Sequence, residues 1–281
     1  MIIDFHTHVF PAFLREKGHV IFSEEKAYQS LYSSPRASVA GISDLLRDMD
    51  EAEIHWSVIF GFPWEKAERF QRHNDYIMEA VHRHPERLIG FCSFSPLSPQ
   101  GPREAERCLQ SGLSGVGELA LYGAGLSSRV TEALKDVMAL CSQFDAPLLL
   151  HTNEPVGPYY AGKTPMTLGQ IYRFLKAYPS NRIVLAHWGG GLFFYGLMKK
   201  EVRNVLRNVW FDTAASPFLY MPAVYKTAGE IVGYEKILFG SDYPLIKPQR
   251  YFDEMASENL TPRHTRQIIG SNAAQLLGLP D

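Results

Sequence analysis

Cysteine is scarce in this chain. The three residues, Cys92, Cys108 and Cys141, are odd in number, far apart and without a C-x-x-C pair. That argues against a disulfide framework and against thiolate ligands, suits a reducing cytoplasm, and leaves three buried packing residues. An excess of one charge is also lacking. The 28 Lys and Arg against 30 Asp and Glu give a formal net charge of -2, so nothing electrostatic calls for nucleic acid or an anionic membrane as partner. No run approaches the roughly 20 apolar residues that cross a bilayer. Asp4, His6 and His8 break the first apolar run before a signal-peptide h-region forms. Low-complexity tracts are absent. The expectation is a cytoplasmic protein whose partner is a small molecule.

What is present is material for one large core: 281 residues, 46% of them hydrophobic and 21% charged. Short apolar runs recur, each followed by a turn and then a helical pattern. The predicted strands are Ile2–His6, Trp56–Phe62, Leu88–Ser95, Gly115–Leu121, Pro147–His151, Ile183–His187, Val209–Thr213 and Ile237–Ser241. Most read as unbroken Val, Ile, Leu and Phe, as parallel strands covered on both faces do. Between them lie patterns of helical period. In Thr131–Phe144, Leu134, Val137, Met138 and Cys141 share a face. Ser43 and Thr131 are predicted N-caps, and Pro85 and Pro179 stop the helices before them. Eight alternations predict a single-domain α/β protein, a (β/α)8 TIM barrel, with a doubly wound open sheet as the rival. Two insertions, 11–40 and 153–165, follow strands one and five. They would lie on the C-terminal rim as substrate caps, or be plain surface loops.

Ligand-type residues stand at the strand ends. His6 and His8 form an H-x-H pair whose side chains point to one face of a strand. Glu118 lies in Val-Gly-Glu-Leu-Ala, His151 closes Leu-Leu-Leu-His-Thr, His187 closes Val-Leu-Ala-His-Trp, and Asp242 follows Leu-Phe-Gly-Ser. Burying such groups is costly unless they are paired or coordinated. Closing a barrel gathers these strand ends around one mouth. Imidazoles with carboxylates suit Zn²⁺, and also Mn²⁺ or Fe²⁺. Taken singly, each histidine could be a hydrogen-bonded core residue, Asp242 a helix cap and Glu118 an internal ion-pair partner. His55, His73, His82, His84 and His264 are expected at the solvated surface, and His19 is a candidate for substrate contact.

Trp64, Asn153, Tyr159, Trp188 and Phe218 follow strand ends and are candidates for the pocket wall. Gly189–Gly191 either let a ligand or backbone approach, expose amides to an anion, or make a sharp turn. Arg15, Arg36, Lys163 and Lys247 lie in rim loops and could pair with a carboxylate. Phe193, Phe194 and Tyr195 are left open as core, pocket or homodimer contact.

The motifs Ile-Asp-Phe-His-Thr-His, Leu-His-Thr, Ala-His-Trp-Gly-Gly-Gly and Phe-Gly-Ser-Asp-Tyr-Pro, in that order, resemble the amidohydrolase superfamily, and within it the amidohydrolase-2 family. The resemblance runs from residue 2 to the helical stretch Gly270–Leu279. It implies a TIM barrel, a divalent metal, and hydrolysis or nonoxidative decarboxylation of a small molecule. It implies that His6, His8 and Asp242 bind metal, that His151 is a ligand, and that His187 is a ligand of a second metal or a catalytic histidine. No lysine lies between Arg107 and Lys135, which excludes the carboxylated-lysine bridge of many relatives. Glu118 fits the slot where other binuclear members carry a glutamate, and the decarboxylases as a rule lack one. The expectation is therefore a hydrolase cleaving an amide, lactone or ester through a metal-bound hydroxide. Glu118 would bridge two ions and Asp242 would act as general acid–base. With one ion, His6, His8, His151 and Asp242 would hold it and His187 would be free to shuttle a proton. Metal-dependent decarboxylation of an aromatic or unsaturated acid is the alternative.

Overall fold

In a computed structural model, which describes residues 1–16, 25–34 and 37–279, the apolar runs form eight strands. They are β1 (Ile3–His8), β2 (Trp56–Phe60), β3 (Leu88–Cys92), β4 (Gly115–Leu119), β5 (Leu148–Leu150), β6 (Ile183–Leu185), β7 (Val209–Asp212) and β8 (Ile237–Leu238). Neighbours in sequence are parallel neighbours in the sheet, in the order β1 to β8. The ring closes where Phe5 N donates to Phe239 O and His8 N to Tyr243 O, both at 2.8 Å. The fold is a single-domain (β/α)8 barrel, and the open-sheet alternative is excluded by this closure.

Two apolar layers hold it. Inside the ring, β1, β2, β3, β5, β6 and β8 contribute Phe5, Val58, Phe91, Leu149, Val184 and Leu238. Phe5 meets Phe91 edge-on at 5.7 Å. The larger layer lies between sheet and helices and includes Leu134, Val137, Met138 and Cys141. All three cysteines are buried and free.

Several strands end earlier than predicted, because at the mouth the backbone leaves the ladder and aims polar side chains inward. Segment 131–144 is two helices, Ser128–Ala133 and Lys135–Gln143, broken at Leu134. The first is capped by Ser127, whose hydroxyl accepts from Val130 N; Thr131 instead donates to Ser127 O. Ser43 is not a cap either. Gly41 holds that position, and Asp44 accepts from its N–H at 3.0 Å. The helices Ala67–Arg83 and Leu168–Ala177 stop just before Pro85 and Pro179, as expected. No helix among the described residues is long and apolar enough to cross a membrane.

His73 is not at the surface. It is 1% exposed on the buried face of helix Ala67–Arg83, with Phe70, Asn74 and Ile77. Its Nε2–H donates to Val9 O at 2.7 Å, and its Nδ1 accepts from Trp64 Nε1 at 2.9 Å. Burial lowers its pKa from 6.5 to about 4. The native state therefore holds it neutral, while the unfolded chain takes up a proton as pH falls through 6.5. His73 should contribute its full stability above pH 6.5 and lose it as pH drops towards 4, by roughly 3 kcal/mol in all. Urea unfolding of the wild type and His73→Gln between pH 7 and 4 checks this. Parallel pH curves for the two proteins would exclude the assignment.

Candidate metal centre

The centre is built from strand ends. His6 and His8 leave β1 on the same side, with Nε2 atoms 3.3 Å apart. Asp242, in the loop after β8, places Oδ1 3.5 Å from both. Glu118 of β4 stands opposite, Oε1 3.8 Å from His6 Nε2 and Oε2 3.7 Å from His8 Nε2. Its Oε1 also lies 2.9 Å from His151 Nδ1 and 3.6 Å from His187 Nε2. The fold thus brings together all six residues singled out at the strand ends.

Local backbone choices aim them. Gly117 has φ +134°, and a Cβ there would strike the Leu149 carbonyl, so only glycine lets β4 pass β5 and present Glu118. His187 and Asp242 hold left-handed φ values of 54° and 58°, which are uncommon outside glycine and gather at functional sites. Gly189, Gly190 and Gly191 continue the left-handed turn. A Cβ at Gly190 would meet the Asn153 carbonyl, so the glycines serve the turn and the close backbone packing behind the site.

One residue was overlooked in the sequence. Asp212 closes β7, fully buried, and accepts from His6 Nδ1–H at 2.8 Å through Oδ2. Its Oδ1 accepts from His187 N at 2.8 Å and Ala214 N at 3.0 Å. It fixes the His6 tautomer with Nε2 free to bind, as carboxylates behind metal-bound histidines do. The signal that marked the other residues, a carboxylate ending an apolar strand, is present in Val-Trp-Phe-Asp-Thr as well.

Burial opposes protonation of His6, but the charges of Asp212, Glu118 and Asp242 outweigh it and raise the pKa to about 10. Burial likewise opposes charge on His187, and Glu118 and Asp242 raise it to about 9. On the carboxylates burial pushes the other way, yet the histidines hold Glu118 well below its usual range and Asp242 near about 2. A buried Glu118 and a half-buried Asp242 are thus drawing positive charge from their surroundings. The donor geometry fits a cation as the source. Nitrogens about 2.0–2.1 Å from one tetrahedral ion stand about 3.3 Å apart, the His6–His8 spacing. The trios His6, His8, Glu118 and Glu118, His151, His187 each offer converging ligand atoms. His8 Nδ1 is buried with no hydrogen-bond partner among the described residues.

Above lies a cavity of about 640 Å³. His8, Glu118, His151, His187 and Asp242 form its floor, and Tyr32, Phe62, Tyr122, Tyr160 and Phe218 stand in its walls. Of the wall candidates read from the sequence, Phe218 lines the cavity. Trp64 and Trp188 do not, being 1% and 0% exposed in the core, with indole N–H groups spent on His73 and Ser216 Oγ. Asn153 is buried and accepts from Thr164 N and Oγ1, and Tyr159 points outward at 78% exposure. Their neighbours Glu154 and Tyr160 reach the cavity instead. Position after a strand end does not settle which way a ring turns.

Arg15 pairs with Asp44, Lys163 with Glu154, and Lys247 is an exposed helix cap. Arg36 and His19 lie outside the described residues. Phe193 is core, while Phe194 is exposed.

The chain is 24% identical to 2-amino-3-carboxymuconate-6-semialdehyde decarboxylase of Dictyostelium discoideum over 348 residues, covering 99% of this chain and 91% of that protein. It shares the fold of 5-carboxyvanillate decarboxylase from Sphingomonas paucimobilis, with a TM-score of 0.78 at 17% identity over 100% of this chain and 99% of the other. It also shares the fold of the 5-carboxyvanillate decarboxylase of Novosphingobium aromaticivorans, in complex with manganese and 4-hydroxy-3-methoxy-5-nitrobenzoic acid. There the TM-score is 0.77 at 16% identity over 99% and 96%. These relatives are lyases, and they overturn the hydrolase expected above. That expectation rested on Glu118 as an ion bridge, whereas a buried Glu118 is equally accounted for as the acid paired with His151. The amidohydrolase family model matches residues 3–279. The chain therefore belongs to the amidohydrolase family.

Proposed function

We propose that this protein is a metal-dependent decarboxylase, releasing CO2 without oxidation from an aromatic or unsaturated carboxylic acid. The observation that carries the reading is a floor of imidazoles and carboxylates beneath aromatic walls, in a chain that matches decarboxylases over nearly its whole length. His6, His8, His151 and Asp242 would hold a divalent ion, with Glu118 beside them. The donor set accepts zinc, manganese or iron, and the manganese of the Novosphingobium enzyme puts that ion first for trial. When bound, the ion supplies positive charge that holds a substrate oxygen and offsets the electron pair left behind by the departing carboxyl group. No described residue lining the cavity is Lys or Arg, so an acid substrate depends on that charge and on the imidazoles.

The chain's own part is to orient the acid, shield it from water and deliver one proton. As the C–C bond to the carboxylate breaks, the electron pair stays on the substrate carbon and is captured by a proton, giving CO2 and the C–H product. His187 is the residue assigned to this. Its Nδ1–H donates to Ala214 O at 2.9 Å, which leaves Nε2 facing the cavity floor. The rings of Phe62 and Tyr122 keep bulk water from the reacting carbon.

The test is protein reconstituted with Mn²⁺ or Zn²⁺ and supplied with oxygen-substituted benzoates, an unsaturated carboxy-semialdehyde, lactones and anilides. CO2 release from at least one acid is expected. Acid release from a lactone or anilide with no CO2 from any substrate would return the protein to the hydrolases.

A further inference from the structure

The insertion after β1 places a residue that neither the family motifs nor the metal centre accounts for. Helix Lys26–Tyr32 packs over the barrel mouth and sets Tyr32 in the cavity wall, its ring 5.2 Å from Phe10 and 6.1 Å from Phe62. Across the wall Tyr122, after β4, stacks parallel to Phe62 at 5.8 Å. Both rings are only partly exposed, and neither hydroxyl has a hydrogen-bond partner among the described residues. Burial foremost, then the charges of Asp242 and Glu118, hold both phenols well above their ordinary pKa, so each keeps its proton. Both rings flank Phe62, at 6.1 Å and 5.8 Å, which places the pair on the same part of the wall.

A phenol proton that no described residue accepts is available to an acceptor oxygen of a ligand in the cavity. With the substrate carboxylate met at the floor by the ion's charge and the imidazoles, the oxygen left for the phenols is a different, uncharged one. Tyr32 is also held in place with some care. Glu25, 1% exposed at the start of its helix, accepts from Glu65 N at 3.2 Å and Lys66 N at 3.3 Å, and forms an ion pair with Arg69 Nη1 at 3.3 Å. That ties the insertion to the first turn of helix Ala67–Arg83.

We infer that Tyr32 and Tyr122 form a two-phenol clamp that selects substrates carrying an uncharged acceptor oxygen, an alkoxy, carbonyl or nitro group, in addition to the carboxylate that is lost. The inference rests on the decarboxylase reading for the presence of a carboxylate. The clamp itself is a matter of binding and is measured without turnover. Glu25 is a positioning residue for Tyr32.

The probes are 3-methoxybenzoate and 3-ethylbenzoate, equal in size and acidity class but differing in the acceptor oxygen. Their binding to the Mn²⁺-loaded protein is followed by calorimetry. The wild type is expected to favour the methoxy compound by roughly three- to tenfold, the worth of one or two neutral hydrogen bonds. Tyr32→Phe and Tyr122→Phe keep the rings and their packing, and each should reduce that preference. The double variant should abolish it while leaving 3-ethylbenzoate affinity unchanged. Equal loss of affinity for both probes would mean that the phenols hold the shared carboxylate, and would overturn the clamp. An unchanged preference in the double variant overturns it too. Failure of both probes to bind the wild type removes the aromatic-acid reading beneath it. CO2 release with no methoxy preference leaves that reading intact and removes the clamp alone.

Discussion

Asp242→Asn is expected to lower CO2 release by roughly 10³-fold with the barrel intact. Asp242 Oδ1 stands 3.5 Å from the Nε2 atoms of both His6 and His8. The substitution keeps the size of the side chain but removes the negative charge that the imidazoles share. Asparagine is chosen because the backbone at 242 is left-handed, φ 58°, a conformation Asn tolerates and Ala resists. Circular dichroism and melting temperature should therefore stay close to wild type. The metal content per chain, read by elemental analysis after gel filtration, should fall alongside activity. Undiminished turnover at full metal loading would take Asp242 out of the centre.

Asp212 produces the second large effect, and two substitutions separate its roles. Asp212→Ala strips the acceptors from His6 Nδ1, His187 N and Ala214 N in a fully buried place. Leaving such groups unpaired should cost about 3–5 kcal/mol of stability. Asp212→Asn can keep Oδ1 on the two backbone amides while presenting an NH2 to His6. The imidazole then loses its acceptor and the tautomer that frees Nε2. Most of the stability should survive, while affinity for Mn²⁺ or Zn²⁺ drops by about 10- to 100-fold. Competition with a chromophoric chelator measures the affinity, and urea unfolding measures the stability. Equal metal affinity in the wild type and Asp212→Asn would show that Asp212 does not orient His6.

The barrel was legible because its strands are buried on both faces and so read as unbroken Val, Ile, Leu and Phe. The polar residue ending each run stood out against that background, and the fold brings all six singled-out residues to one mouth. Asp212 carried the same mark. His73 was legible too, since Phe70, His73, Asn74 and Ile77 follow a helical stripe; its polar neighbours hid that register. The wall was less so. Trp64 and Trp188 lie beside the right strand ends, but their indoles turn to His73 and Ser216, a choice made by long-range packing. Tyr32 depends on where Glu25 docks, some forty positions from its partners. The reaction class was misread for a chemical reason. Imidazole and carboxylate donors specify that a cation is wanted, not which bond breaks beside it, and Glu118 has more than one use.

The ring closure between Phe5 and Phe239, and between His8 and Tyr243, joins opposite ends of the chain. His6 and His8 stand on one side of that seam and Asp242 on the other. No short peptide cut from this protein carries the centre, in contrast to metal knuckles confined to one loop. The chemistry belongs to the completed cylinder and cannot be grafted elsewhere as a segment. Its vulnerability is correspondingly global: whatever parts the seam separates His6 and His8 from Asp242.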